Sequence, residues 1–224
     1  MTALLQFWLP VKCVLCGSPS NSLCKSCQSS FPLRPHRVSR GIEGFATCDY
    51  QGPALDLVHA FKRGGSNALA GFLAKPMAEL IAQQLLAHSH WQANTTLRLV
   101  PVPSRPDSFR RRGFVPATLL ARAIARELKH SQAVSAFSVS LVRLNRKVRD
   151  QAALNLKERE QNLNHAMSSA PFGGSQELSG DDSKRRVVMV DDVVTTGATL
   201  REMRRALSEA GWNPIFFVAF AETL

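Results

Sequence analysis

A parallel α/β sheet flanked by crossover helices, with a small metal-binding module at its N-terminus, is the fold that this 224-residue sequence predicts. Three observations predict it. The stretch 187–199, VVMVDDVVTTGAT, runs from four apolar residues through two adjacent carboxylates into a small-residue loop and a helix. Parallel sheets present ligands in this way, at the carboxyl ends of their strands. Apolar runs alternate with helical-period segments along the chain, as crossover connections require. Four of the five cysteines form two Cys-x2-Cys pairs near the N-terminus, the spacing of metal knuckles.

The elements follow in order. Leu4 to Leu9 suit a short interfacial or packing helix. Cys13-x2-Cys16 and Cys24-x2-Cys27 each bring two thiolates together, and turn residues Gly17 to Asn21 allow the short spacer to close one tetrahedral S4 site. With all four ligands supplied by protein, the expected zinc is structural. Cys48 reads as a buried strand residue. Pro32, Pro35, Arg34, Arg37 and Arg40 read as a linker, which sets the division at 1–40 and 41–224. A strand is expected over 45–51, ended by Gly52-Pro53, and a helix over 54–62 that runs into the basic turn Lys62 to Gly65. Leu69, Phe72, Leu73, Met77, Leu80, Ile81 and Leu85 mark a long amphipathic helix. A strand over 97–102 ends in Pro103-Ser104; 105–113 reads as a basic loop, and 117–129 as a helix. A strand is expected over 139–144, then a polar run over 145–164 and a Gly/Ser-rich surface loop over 168–184. The strand 187–190 precedes the acidic pair. Leu200, Met203, Ala206, Leu207 and Ala210 give the last helix, stopped by Gly211.

Composition bounds the function. At 45% hydrophobic and 20% charged the chain is an ordinary globular one, large enough for a sizeable α/β domain plus an accessory module. No apolar run approaches the roughly 20 residues that span a bilayer, and the N-terminus lacks a basic leader and a small-residue cleavage site. A cytoplasmic location is the expectation. The net charge is +11, and residues 98–150 hold twelve Lys or Arg against three acids. Such a surface suits an anionic partner.

In the stretch 187–199, the loop from Val194 to Thr199 can turn its backbone N–H groups toward a phosphate, aided by the following helix N-terminus. Asp191 and Asp192 can accept hydrogen bonds from vicinal ribose hydroxyls. These residues closely resemble the phosphoribosyl pyrophosphate (PRPP) fingerprint of type I phosphoribosyltransferases. The order of signals resembles the ComF family of competence proteins, grouped also with GntX, over nearly the whole chain. It runs from the paired cysteines through Phe61-Lys62-Arg63-Gly64, Val100 to Ser104, Arg112-Gly113-Phe114 and the run 143–162 to the acidic pair. One departure stands out: Val115-Pro116 replace the Asn-Gln that usually follows Arg-Gly-Phe.

The resemblance implies a parallel-sheet type I phosphoribosyltransferase fold. It implies catalytic roles for Asp191 and Asp192, and PRPP contacts from Val193, Val194, Thr195, Thr196, Gly197, Ala198 and Thr199. Pro103, Ser104 and Arg105 would face the pyrophosphate, with Lys62 nearby. A closing loop in 145–162 would bring Arg146, Gln151 and Arg159. Mg2+ would accompany PRPP. It further implies a role in natural transformation, handling incoming single-stranded DNA, with DNA-uptake proteins as partners; the basic segment offers Arg110, Arg111 and Arg112 as the DNA contacts. Two other readings remain: a conventional transferase using a small nitrogen acceptor, and a non-catalytic PRPP sensor.

Overall fold

The structure, a computed structural model, describes residues 12–87, 96–131, 134–146, 163–172 and 185–223. The packing helix at Leu4 to Leu9, and Gln151 and Arg159 of the closing loop, lie outside the described residues.

The cysteine module comes first. Lys12 bridges to Pro19, and α1 (Lys25–Ser29) starts after Cys24, whose thiol caps it. Two strands follow, β1 (His36–Ser39) and β2 (Glu43–Asp49). The segment expected to be linker is therefore partly strand: β1 pairs antiparallel with β2 from His36↔Ala46 to Ser39↔Glu43. Val38 is its buried residue, and that one apolar contact was too little to read as a period.

Helices α2 (Pro53–Gly64) and α3 (Asn67–Ala87) come next. Pro53 opens α2 where a missing N–H costs nothing. Gly65 ends it in the left-handed region, at φ +57°. Helix α3 buries Leu69, Leu73, Met77, Leu80, Ile81 and Leu85, each worth about 1.5–3 kcal/mol relative to exposure. It packs on α5 (Pro116–His130).

Between these helices lie β3 (Leu97–Pro101) and α4 (Pro106–Arg112). The segment expected to be a loop is thus a short helix. Pro106 stands in its first turn and Gly113 closes it at φ +75°, so the two residues read as loop markers are its start and stop. Of the strand expected over 139–144 only β5 (Val142–Leu144) forms; a separate short strand, β4 (Ala136–Ser138), precedes it and lies in the other sheet. Strand β5 pairs antiparallel with β6 (Met167–Ser169), which runs into the segment expected to be a loop.

Strand β7 (Arg186–Val194) runs four residues past the expected 187–190 and includes both aspartates. The reason lies in its neighbour, β8 (Asn213–Glu222), which pairs with it as far as Val194↔Glu222. Between them runs α6 (Ala198–Glu209). Gly211, at φ +86°, ends that helix: the Trp212 N–H donates to the Leu207 carbonyl and the Gly211 N–H to Ser208.

The main sheet has the order β1-β2-β8-β7-β3-β4. All neighbours are parallel except β1 and β2. The chain leaves β3 for β4 on one side and returns to β7 on the other. The crevice at the ends of β3 and β7 is therefore the switch point where α/β sheets bind ligands. Two cores flank the sheet. One joins α2, α3 and α5 with Cys13, Leu23 and Phe31 of the cysteine module. The other joins α6 with Val142, Leu163 and Met167.

Candidate functional site

Strand β3 ends at Pro101, opposite Val190, and the Val102 N–H makes the last bond to Val190. From Asp191 onward β7 has lost that neighbour, although β8 still supports its other edge. The acidic pair therefore stands at an opening in the sheet. A cleft of about 240 Å³ lies there, lined by Lys62, Ser104, Arg105, Arg112, Asp191, Asp192 and Thr199 among others.

The Lys62 ammonium lies 2.7 Å from the Asp192 carboxylate. The Asp192 N–H donates to Asp191 Oδ1 at 2.8 Å. Burial, and next the charge of Asp192, push the Asp191 carboxyl up to about 8, against a partial opposing pull from Lys62. Lys62 itself is moved up: burial opposes its charge, and the contact with Asp192, helped by Asp191 and Tyr50, outweighs burial. The site holds the Lys62–Asp192 ion pair beside a second carboxyl group whose proton is held more tightly, and that group becomes a full acceptor for hydroxyl donors and cations once it ionises.

The loop after β7 is braced from behind. Gly197, at φ +74°, would place a Cβ 2.5 Å from Arg40 Cβ and 2.9 Å from the Arg40 carbonyl oxygen, so only glycine fits. Arg201 Nη1 donates to the Arg40 carbonyl at 2.6 Å and to the Thr196 carbonyl at 2.8 Å. Arg40 in turn donates from Nε to Glu222 Oε1 at 2.8 Å and from Nη2 to the Thr223 carbonyl at 2.8 Å. Thr196 Oγ1 accepts from the Ala198 N–H at 3.3 Å. The loop's shape is thus set by α6, β8 and the turn after β1, which leaves the helix N-terminus to face the crevice.

The residues expected at the site divide accordingly. Lys62, Pro103, Ser104, Arg105, Asp191, Asp192 and Thr199 line one cleft. Val193 packs toward one core and Val194 belongs to the other, so these two side chains face protein. Arg146 is exposed and donates to the Asn164 carbonyl at 3.1 Å, outside the lining. The three arginines of α4 also part company. Arg112 enters the cleft with Ser108, while Arg110 and Arg111 are exposed and Arg110 pairs with Asp107 at 3.3 Å. Arg105, Ser108 and Arg112 are spaced i, i+3, i+7, one face of a helix. That spacing would have placed Ser108 and Arg112 in the site had the segment been read as helical.

The four thiol sulfurs of Cys13, Cys16, Cys24 and Cys27 lie within 4.8 Å of one another. The Cys24 N–H donates to the Cys13 sulfur and the Cys27 N–H to the Cys24 sulfur, both at 3.4 Å. Such bonds orient thiolates around a metal. The group could hold a metal ion and fits a closed structural site. Cys48 stands apart, buried in β2 and donating its S–H to the Phe220 carbonyl.

The chain is similar to known proteins along most of its length. Residues 110–222 match the model of the phosphoribosyl transferase domain. The chain is 27% identical to competence protein F of Haemophilus influenzae, over 91% of its own length and 93% of the relative's. It is 29% identical to the DNA utilization protein YhgH of Escherichia coli K12, over 89% of its length and 78% of that protein's. The same name attaches to a Salmonella typhimurium relative, also 29% identical, with coverage of 89% and 78%. No described helix is long and apolar enough to cross a membrane.

Proposed function

We propose, for a chain that belongs to the phosphoribosyl transferase domain family and is ComF-like along most of its length, that the cleft between β3 and β7 binds PRPP with Mg2+. The observation that carries this reading is the position of Asp191 and Asp192 where β7 outruns β3, beside a glycine-dependent loop at the start of α6. The carboxylates take the ribose hydroxyls. The loop from Thr195 to Thr199 and the N-terminus of α6 take the 5′-phosphate. Ser104, Arg105, Arg112 and Lys62 meet the pyrophosphate with hydroxyl and cationic donors. Mg2+, carried on the ligand's oxygens, supplies charge neutralisation of the pyrophosphate.

In a transfer reaction a nitrogen lone pair forms the N–C1 bond while the C1–O bond to pyrophosphate breaks. Pyrophosphate leaves with that electron pair, and the nitrogen's proton passes to solvent. Asp191 and Asp192 would stabilise the positive charge that develops on the sugar. The biological setting we infer is a competence role like that in the name of its Haemophilus relative, with single-stranded DNA as the macromolecular partner. Support for the DNA partner is electrostatic: Arg110 and Arg111 project from α4 beside the cleft, within the most basic part of the chain.

Calorimetry of PRPP with Mg2+ tests the ligand. Wild type should bind, and Asp191→Asn/Asp192→Asn should lose at least about tenfold in affinity, as expected for two charge-assisted hydrogen-bond acceptors. Equal binding by both proteins would overturn the assignment.

A further inference from the structure

The loop after β7 is held by a residue from far outside its own strand–helix unit. Arg40 lies in the turn between β1 and β2, at the end of the segment that the sequence divides from the main domain. Turn and loop interlock through two glycines. Gly41, at φ +74°, would bring a Cβ to 2.9 Å from Arg201 Cδ, and Gly197 would bring one to 2.5 Å from Arg40 Cβ. The Arg40 side chain turns away to the end of β8, where the buried Glu222 carboxylate accepts from it. Glu222 also meets His36 Nε2 at 3.0 Å, so β1 and its turn are both tied to β8.

The consequence is one peptide of fixed polarity. Arg201 Nη1 donates to the Thr196 carbonyl and to the Arg40 carbonyl together. A trans peptide is planar, and its C=O and N–H point in opposite directions. With the Thr196 carbonyl drawn to Arg201, the Gly197 N–H of the same peptide points away from that guanidinium. The direction matters to an anion: a presented N–H attracts it, whereas a presented carbonyl oxygen repels it. Glycine tolerates both signs of φ, so a flip of this peptide meets no steric bar at residue 197. The loop's own residues therefore do not choose between the two directions. Arg201 does, held to a carbonyl that Arg40 and Glu222 keep in place.

We propose that Arg201 and Arg40 are positioning residues for the 5′-phosphate of the ligand: they orient the Thr196–Gly197 peptide with its N–H toward that phosphate, so that the β1–β2 turn completes the seat. The proposal rests on the reading that the loop from Thr195 to Thr199 takes the phosphate. It also separates the two ends of the ligand, because the groups assigned to the pyrophosphate stand on other elements. Ser104 and Arg105 follow β3, Arg112 is on α4 and Lys62 on α2.

Ribose 5-phosphate and pyrophosphate with Mg2+ probe those two ends separately, by calorimetry on the full chain. Arg201→Met should weaken ribose 5-phosphate by about tenfold or more, the loss of one hydrogen bond to a charged group, while pyrophosphate affinity stays within about twofold. Arg40→Met keeps the backbone carbonyl and loses its anchor on Glu222, so ribose 5-phosphate should weaken in the same direction by about threefold or more. Arg201→Lys should recover part of the affinity that Arg201→Met loses. Their stems are similar, so the recovery reports the donor rather than the packing. The Gly197 amide proton reads the peptide directly. In amide-correlated NMR spectra it should move downfield when ribose 5-phosphate saturates wild type, and move less when it saturates Arg201→Met. Ribose 5-phosphate binding within about twofold of wild type in either folded methionine variant, an equal loss of pyrophosphate, or a full Gly197 shift in Arg201→Met would overturn the proposal. A wild type that binds pyrophosphate with Mg2+ but not ribose 5-phosphate, or binds neither, would refute the reading of the loop itself and the proposal with it.

Discussion

At Asp191 and Asp192, neighbouring carboxylates receive unequal compensation. Lys62 makes its 2.7 Å ion pair with Asp192, while burial and the Asp192 charge leave Asp191 proton-binding up to about pH 8. An unfolded aspartate releases that proton near pH 4. Between these limits the folded chain holds one more proton than the unfolded chain, so stability falls as pH rises from about 4 to 8. Asp191→Asn imitates the protonated form and removes this dependence. Above pH 8 the variant should be more stable than wild type, by on the order of 1–3 kcal/mol in denaturant unfolding, and near pH 4 the two should converge. Ligand binding should run the opposite way. A carboxylate that must ionise to accept ribose hydroxyls makes wild-type PRPP affinity rise by up to about tenfold per pH unit below 8, beyond the residual slope in Asp191→Asn from the ligand's own phosphates. Parallel stability curves for the two proteins would contradict the raised proton affinity. The site thus sacrifices some stability of the empty protein to hold a charge where the ligand can use it.

Helix α4 is the element that separates two functions. Ser108 and Arg112 face the cleft, and the exposed Phe109, Arg110 and Arg111 face outward. Arg110→Ala/Arg111→Ala should therefore weaken single-stranded DNA binding and lower its log–log salt slope by about 1.4, at about 0.7 per phosphate contact. PRPP affinity should be unchanged. Arg112→Ala should instead weaken PRPP. Loss of PRPP binding in the double variant, or an unaltered salt slope, would break this division of labour. The same helix shows what the sequence made legible. The long elements announced themselves: α3 through its sustained apolar repeat, and β7 with α6 through strand, acidic pair, glycine and helical period. The paired cysteines announced their cluster by spacing alone. Seven residues of α4 hold barely two turns, so Pro106 and Gly113 looked like loop punctuation. Strands β4, β5 and β6 have three residues each, too few for a period. Strand β8 is buried along most of its length; its run of apolar residues carries no alternation to separate it from a helix.

On the scale of the whole molecule, the cysteine module is built into the larger core. Cys13, Leu23 and Phe31 share that core with Leu57, Phe61 and Phe220. The Phe31 ring lies 5.4 Å from Phe72 and 5.9 Å from Phe220. Ser22 meets Ser66 at 3.2 Å, and Ser66 caps the start of α3 through the Leu69 N–H. Immediately before that cap, Gly65 lies against the Phe114 ring so closely that a Cβ would come within 2.8 Å of it. Lys62 is three residues upstream on α2. The cysteine cluster, the α2–α3 turn and the ammonium of the cleft are consecutive supports in one packed body. Metal analysis should find one zinc per chain. Removing it with a chelator should lower the melting temperature by about 10 °C or more in a single transition, because metal binding energy is folding energy and the module's apolar residues belong to the main core. Cys16→Ser should act like the chelator. Cys48→Ser should leave the zinc content unchanged, since that thiol is buried between β2 and β8, where it donates to the Phe220 carbonyl, and lies outside the cysteine cluster. At temperatures where the chelated protein is still folded, its PRPP affinity should also fall, because the loosened turn no longer holds Lys62 against Asp192. Substoichiometric zinc in a chain that melts unchanged would refute the structural site. A chelated chain that melts early but binds PRPP normally would keep the site and sever its connection to the cleft.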